Sequence, residues 1–120
     1  MLSLKSTSPK RWLEQVEAHL DEVLIDHAHC EKKAAGNAMS LIFSYCANDL
    51  LCREMTVIVN EELEHFTLVL EILKQRGIPL RRDRPTQYGR KLNELVRKSE
   101  PERAVDRLLV SALIEARSCE

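Results

Sequence analysis

The stretch NEELEHF, residues 60–66, places three acids and a histidine inside a segment whose other residues are largely apolar. Glu62 and His65 are three positions apart, so on a helix both side chains lie on one side. Helical spacings from Glu62 lead to an apolar stripe formed by Met55, Ile58, Val59, Phe66, Val69 and Leu73. The stretch therefore predicts a helix that directs a carboxylate and an imidazole toward a core, whereas Glu61 and Glu64 are predicted to be solvated.

The overall composition favours an all-α protein. The chain has 120 residues, of which 44% are hydrophobic, and we assign residues 1–120 to a single domain. Three glycines, four prolines and few aromatic residues favour helices over strands. A net charge of -1 is typical of neither a polycation nor an acidic tail, and no apolar run is long enough to cross a membrane. We therefore expect a cytoplasmic protein with no membrane partner, whose four cysteines are reduced thiols.

Helix signals in the first two thirds of the chain predict a long hairpin. Ser8 and Pro9 form a start signal, and the periodicity that follows to residue 46 fits either one very long helix or a short helix followed by a long one. Turn-forming residues at 47–50 precede a second long helix over 51–76, which is closed by glycine and proline. The two long helices should pack as an antiparallel pair.

The last third of the chain predicts a loop and two more helices. Residues 77–86 contain two prolines and three arginines and are expected to form a loop. Helical periodicity returns over 87–98, and Ser99 is a candidate cap for a last helix. That helix carries no stop signal, so we expect the sequence to end within an element.

Glu31 repeats the pattern of Glu62. Its helical neighbours are small or apolar: Leu24, Ala28, Ala34, Ala35, Ala38, Ile42 and Tyr45. In an antiparallel hairpin, residues equidistant from the turn come level with each other, and the midpoint of positions 31 and 62 falls beside the predicted turn. Glu31 and Glu62 are therefore predicted to meet across the hairpin.

A third carboxylate, Glu115, shares a helix face with Leu108, Ser111, Ala112 and Cys119. Three buried carboxylates and a histidine in one core would be strongly destabilising unless a cation neutralised them. In di-iron carboxylate bundles, two helices each supply one Glu and two supply Glu-x-x-His. A Glu-x-x-His pair alone is most often a solvated helix face, and a lone buried Glu is more often paired with Lys or Arg. The joint pattern favours a metal site.

Four segments of the sequence are similar to one known family. DHAHCEKKAA (26–35), EELEHF (61–66), RGI (76–78) and LIEARSCE (113–120) resemble the tRNA isopentenyladenosine hydroxylases of the MiaE type. The resemblance implies a ferritin-like four-helix bundle with two iron ions. It also implies an O2-dependent monooxygenase that hydroxylates the isopentenyl group of 2-methylthio-isopentenyladenosine in tRNA and takes electrons from a donor of unknown identity. The iron ligands that the resemblance implies are Glu31, Glu62, His65 and Glu115.

The sequence departs from the family at its C-terminus. The family continues into a fourth core helix with the second Glu-x-x-His, and this sequence ends before it. We therefore expect a C-terminally truncated bundle that lacks the last protein ligands. An open core face would favour self-association, and an inactive or partner-dependent fragment is one alternative to an active enzyme.

Two histidines precede Glu31 on the same predicted helix. His27, one turn earlier, is a candidate for orienting a metal ligand, although a structural histidine is the more common interpretation. His29 is expected to face outward.

Basic residues are concentrated between positions 74 and 98, where nine stand against two acids. Such a segment could follow the phosphates of tRNA, and a solvated basic face is the alternative. The candidate tRNA contacts are Arg76, Arg81, Arg82, Arg84, Arg90 and Lys91.

Two other functions fit the same residues. A ferritin-like iron-binding protein would use the same ligands without an organic substrate, and a non-catalytic helical module would pair with another subunit through its open face. The arginine-rich segment favours an RNA substrate over either.

Overall fold

The computed structural model describes residues 8–82 and 87–118, which form five helices and no strand. The helices are α1 Lys10–Ala18, α2 Leu20–Ser44, α3 Asp49–Gln75, α4 Gln87–Glu94 and α5 Glu102–Ser118. They belong to two compact units. The hairpin unit is Glu14–Asp83, and the second unit combines Met1–Leu13 with Arg84–Glu120. The all-α prediction is confirmed, and the single-domain assignment stays a prediction.

The first helical stretch is a short helix followed by a long one. The backbone N–H of Trp12 donates to the carbonyl of Pro9 at 2.8 Å, in agreement with the predicted start at Ser8 and Pro9. At His19 the backbone leaves helical geometry, with φ -134° and ψ 38°, and α2 begins at the next residue. Neither proline nor glycine marks this break, so the sequence left both arrangements open.

The turn of the hairpin lies where it was predicted. Asn48 caps α3, because its side-chain oxygen accepts the N–H of Leu51 at 3.1 Å. The N–H of Asn48 in turn donates to the carbonyl of Tyr45 at 2.9 Å. With Asn48 as the cap, α3 begins at Asp49, two residues before the predicted start. The antiparallel hairpin of α2 and α3 is confirmed.

The end of α3 is a Schellman motif. Gly77 has φ 69°, a left-handed conformation that costs a glycine nothing. The N–H groups of Gly77 and Ile78 then donate to the carbonyls of Lys74 and Leu73, at 3.0 Å and 2.9 Å. Ile78 packs on a core cluster formed by Ile25, Ala28, Val69 and Leu73. This motif fixes the direction in which the chain leaves α3.

An ion pair between Arg97 and Asp106 lies in the second unit. Arg97 donates to Asp106 through its backbone N–H at 3.0 Å, and through Nε and Nη2 at 2.8 Å each. These hydrogen bonds from Arg97 lower the pKa of Asp106 to about 2. α4 ends at Glu94, before the predicted residue 98. The N–H groups of Leu95 and Val96 already donate to carbonyls three residues earlier, at 3.1 Å and 3.2 Å, instead of continuing the α-helical pattern. Among the described residues, no helix is both long and apolar enough to span a membrane.

Candidate metal centre

The centre of the hairpin brings three predicted ligands together. Glu31 projects from α2, and Glu62 and His65 project from α3. One ligand atom from each residue lies within 4.8 Å of the other two. The predicted meeting of Glu31 and Glu62 across the hairpin is therefore confirmed, while metal binding by these residues stays a prediction.

The spacing of these atoms suits one metal ion. Nδ1 of His65 is 3.6 Å from Oε2 of Glu31 and 3.8 Å from Oε2 of Glu62, too far for hydrogen bonds. Nitrogen and oxygen ligands bound at about 2.1 Å to one ion are separated by roughly 3.0–3.4 Å. Movements of less than about 1 Å would close the site around an ion. Two carboxylates and an imidazole are also a donor set that binds first-row transition metals.

The three ligands differ in exposure. The side chains of Glu31 and Glu62 are 13% and 14% exposed, whereas that of His65 is 55% exposed. The prediction that His65 faces the core is therefore wrong for most of its surface. The spacing of three residues from Glu62 to His65 is shorter than a helical turn of 3.6 residues. Phe66, four residues after Glu62, therefore packs against the core, and His65 lies at the edge.

The walls around the carboxylates are apolar. Ala28 and Ala35, one turn before and after Glu31, are 0% and 5% exposed. On α3, Val59 is 7% exposed and lies one turn before Glu62. Two acids close together in such surroundings raise each other's energy, and a bound cation would remove that cost.

The two histidines on α2 have different surroundings. Nε2 of His27 lies 3.2 Å from Oε1 of Glu31, as an orienting residue would, and the His27 side chain is 50% exposed. His29, which was expected to face outward, is buried, with 4% exposure. Its Nε2 bonds the carbonyl of Arg81 at 2.7 Å, and its Nδ1 bonds Nζ of Lys32 at 2.8 Å. The expectation for His29 was wrong because its main partner lies in a distant loop.

Glu115, the fourth predicted ligand, lies in α5, in the second unit, and is exposed. Its participation in the site stays a prediction.

The basic candidates fall into groups that the sequence did not distinguish. Arg76 pairs with Asp21 at 3.0 Å, and Arg81 pairs with Glu22, which raises the pKa of the Arg81 guanidinium. Arg82 is exposed and forms no ion pair within the described residues. Two other candidates are in the second unit: Arg90, which lies 3.9 Å from Glu94, and Lys91, which is exposed. Arg84 lies outside the described residues.

Two antiparallel helices, one with a single Glu and the next with Glu-x-x-His, form half of the ligand arrangement of a ferritin-like carboxylate bundle. The fold and the cluster thus define a protein of the ferritin-like class. The family model described as tRNA-(MS[2]IO[6]A)-hydroxylase (MiaE) matches residues 2–120, and the chain belongs to this family. The family resemblance noted from the sequence is confirmed.

Individual relatives agree with this assignment. The chain is 45% identical to the tRNA 2-(methylsulfanyl)-N(6)-isopentenyladenosine(37) hydroxylase of Pseudomonas putida, over 94% of this chain and 55% of the relative. It is 26% identical to the hydroxylase of the same name from Salmonella typhimurium, over 98% of this chain and 62% of that one. A solved structure described as protein 43 with aldehyde deformylating oxygenase activity, from Synechococcus, matches with a TM-score of 0.94 and 45% identity. That match covers 98% of this chain and 59% of the other. The chain therefore spans somewhat more than half the length of these relatives.

Proposed function

We propose that the hairpin of α2 and α3 binds iron, and that the chain serves an O2-dependent hydroxylation of the isopentenyl group of 2-methylthio-isopentenyladenosine in tRNA. The observation that carries this proposal is the convergence of Glu31, Glu62 and His65 in a chain of the MiaE family. The P. putida relative is named for this hydroxylation, and the Synechococcus structure is described as an oxygenase.

Each residue of the cluster has a defined task. Glu31 and Glu62 supply hard, negatively charged oxygens that would offset the charge of a dication. His65 supplies a nitrogen from the same helix as Glu62. Bound iron would supply the activation of O2 that an unreactive C–H bond requires. Buried Ala28 and Ala35 exclude water from the inner side of the cluster.

His27 is proposed as an orienting residue. A neutral imidazole with its proton on Nε2 would donate to Oε1 of Glu31, at the observed 3.2 Å. That bond leaves Oε2 of Glu31, which faces His65, available for a metal. Residues of this kind typically contribute 10–100-fold to metal affinity.

Further parts of the proposal extend beyond the hairpin. Glu115 is proposed as a further ligand of a site for two iron ions, with electrons from a donor of unknown identity. We expect the activity in the cytoplasm because the proposed substrate is tRNA, whose phosphates the basic segment would contact.

One observation favours a second candidate function, iron binding without hydroxylation. The side chain of His65 is 55% exposed, so one side of the cluster is open to water. Open access suits uptake and release of iron better than protection of a strong oxidant. This candidate needs the same ligands and no RNA.

The test is an anaerobic titration of the chain with ferrous iron. Bound iron is counted for the wild type, for Glu62→Ala, and for Glu61→Ala as a control that removes the same charge from an exposed neighbouring position. We expect the wild type and Glu61→Ala to bind alike and Glu62→Ala to lose iron. Equal binding by all three would refute the metal site.

A second measurement separates the two candidates. The iron-loaded chain is incubated with tRNA carrying the isopentenyl modification, O2 and a chemical reductant, and the nucleosides are analysed by mass spectrometry. Gain of one oxygen atom would support hydroxylation. Iron binding without that gain would favour the second candidate.

A further inference from the structure

We propose that Asp21, Glu22 and His29 on α2 form a clamp that holds residues 76–82, the basic loop, in one position. In this arrangement Arg76 and Arg81 are tethers, and Arg82 is the cation that the loop presents to an anionic partner. The inference rests on the proposed function insofar as it takes that partner to be the phosphate backbone of tRNA.

The first tether lies where the loop begins. Arg76 is the C-cap residue of α3, and its Nη2 donates to Oδ1 of Asp21 at 3.0 Å. Gly77 then turns the chain, and Ile78 packs against the core cluster that α2 and α3 form together. The start of the loop is thus held by an ion pair and an apolar contact.

The second tether lies near the other end and has two parts. The Arg81 guanidinium pairs with the Glu22 carboxylate, and the Arg81 carbonyl accepts a hydrogen bond from Nε2 of His29 at 2.7 Å. An exposed ion pair stabilises the position of a loop only weakly by itself. The bond to His29 is different because that imidazole is 4% exposed, and leaving its polar atoms unpaired would be costly.

The hydrogen bonds of His29 are mutually consistent. The Lys32 ammonium can only donate, so Nδ1 of His29 must accept. The proton of a neutral imidazole then lies on Nε2, where it is donated to the Arg81 carbonyl. Both ring nitrogens are therefore used, and one of them fixes the backbone of the loop.

The clamp divides the charges of the loop into two kinds. Arg76 and Arg81 are compensated by Asp21 and Glu22, so binding phosphate would require those ion pairs to break. Arg82 follows the bonded Arg81 carbonyl directly and forms no ion pair within the described residues. No ion pair among the described residues would have to break for Arg82 to bind a phosphate.

The clamp and the candidate metal centre share the helix α2, although residues two apart on a helix point to different sides. His29 and Glu31 are two residues apart on α2, a rise of about 3 Å along the helix. A partner held by Arg82 is thus positioned against the same helix that carries a ligand. The positions of the loop and of Glu31 depend on one element of the hairpin unit.

The first test examines the clamp without RNA. Trypsin cleavage after Arg81 and Arg82 is followed by mass spectrometry for the wild type, His29→Ala, His29→Gln and the exposed control His19→Ala. We expect His29→Ala to speed this cleavage roughly two- to tenfold, as loss of one hydrogen bond predicts. Glutamine can donate to the same carbonyl, so His29→Gln should restore part of the protection. Unchanged cleavage in His29→Ala, or equal acceleration after Arg53 in α3, would overturn the clamp.

The second test measures how salt weakens the binding of tRNA to the full chain. Arg82→Gln should lower the slope of log affinity against log salt by about 0.7–0.9. The double variant Glu22→Gln, Arg81→Gln keeps the net charge and should leave the slope unchanged. Equal loss of slope in both, or no tRNA binding by the wild type, would overturn the assignment of Arg82. Iron titration of the same proteins keeps this outcome separate from failure of the metal site.

Discussion

Replacing Glu62 by Gln should make the metal-free chain more stable while removing its response to metal. One oxygen of Glu31 and one of Glu62 lie within 4.8 Å of each other, and both side chains are largely buried. At 4.8 Å two negative charges repel by about 0.9 kcal/mol at the dielectric constant of water and by about 3.5 kcal/mol at an effective value of 20. Since both carboxylates keep partial access to water and lie near His65, we expect Glu62→Gln to raise the free energy of unfolding of the metal-free chain by about 1 kcal/mol.

The assay is urea denaturation of wild type, Glu62→Gln and Glu61→Gln, first with a chelator and then anaerobically with ferrous iron. An ion at 100 times its dissociation constant stabilises the folded state by about 2.7 kcal/mol, and this increment should be present in the wild type and Glu61→Gln only. Glu61 is exposed, so its substitution should change little in either condition. If Glu62→Gln lowers the stability of the chelated chain, the cluster is a structural hydrogen-bonded group and our reasoning is refuted.

Three further predictions concern single positions. Neither Gly77→Ala nor Gly36→Ala adds a methyl group that meets another atom, so backbone conformation decides the effect of each. Gly77→Ala should lower the free energy of unfolding by about 1–2 kcal/mol because φ is 69° there, and Gly36→Ala in α2 should raise it by roughly 0.5–1 kcal/mol. Denaturant titration measures both, and a change of the same sign in both variants would contradict the prediction. Because Arg97 lowers the pKa of Asp106 from 3.8 to about 2, the stability that this pair contributes should be fully present above about pH 4 and lost as the pH falls toward 2. The stability of Asp106→Asn should therefore depend less on pH over that range, as measured by acid unfolding followed by circular dichroism. Parallel unfolding curves for the wild type and the variant would contradict the prediction. His27→Ala should weaken ferrous iron binding 10–100-fold by calorimetry because a hydrogen bond to a ligand carboxylate is lost, and unchanged affinity would remove its orienting role.

The hairpin and the register of its carboxylates could be predicted because both depend on local signals. Apolar periodicity defined the faces of α2 and α3, and Asn48 and Gly77 marked the two ends of α3. Once the turn was placed, antiparallel geometry alone brought Glu31 and Glu62 level. These features needed no knowledge of long-range contacts.

The features that sequence reasoning missed depend on contacts between distant residues. His29 is buried because the carbonyl that it bonds lies 52 residues away, in the basic loop. The pair of Arg97 and Asp106 has a similar origin, since the backbone N–H of Arg97 donates to a carboxylate nine residues later, in α5. No local pattern indicates which carboxylate an arginine pairs with. The sequence therefore did not show that Arg76 and Arg81 form ion pairs whereas Arg82 forms none within the described residues.

The carboxylates at the start of α2 and those of the candidate metal centre differ in the residues that face them. On the first turn of α2, Asp21 and Glu22 face arginines, which keep their charge throughout the physiological pH range. Further along the same helix, Glu31 lies beside two histidines, and neither is a permanent cation as arginine is. The first arrangement gains stability from its charges as they stand, whereas the second gains most when a cation arrives. Glu22→Gln should therefore destabilise the chelated chain slightly, and Glu62→Gln should do the opposite. A metal site made from two acids predicts these opposite changes in stability for two carboxylates of one hairpin. If every carboxylate were instead paired with a cation of the protein, both substitutions would destabilise the chain.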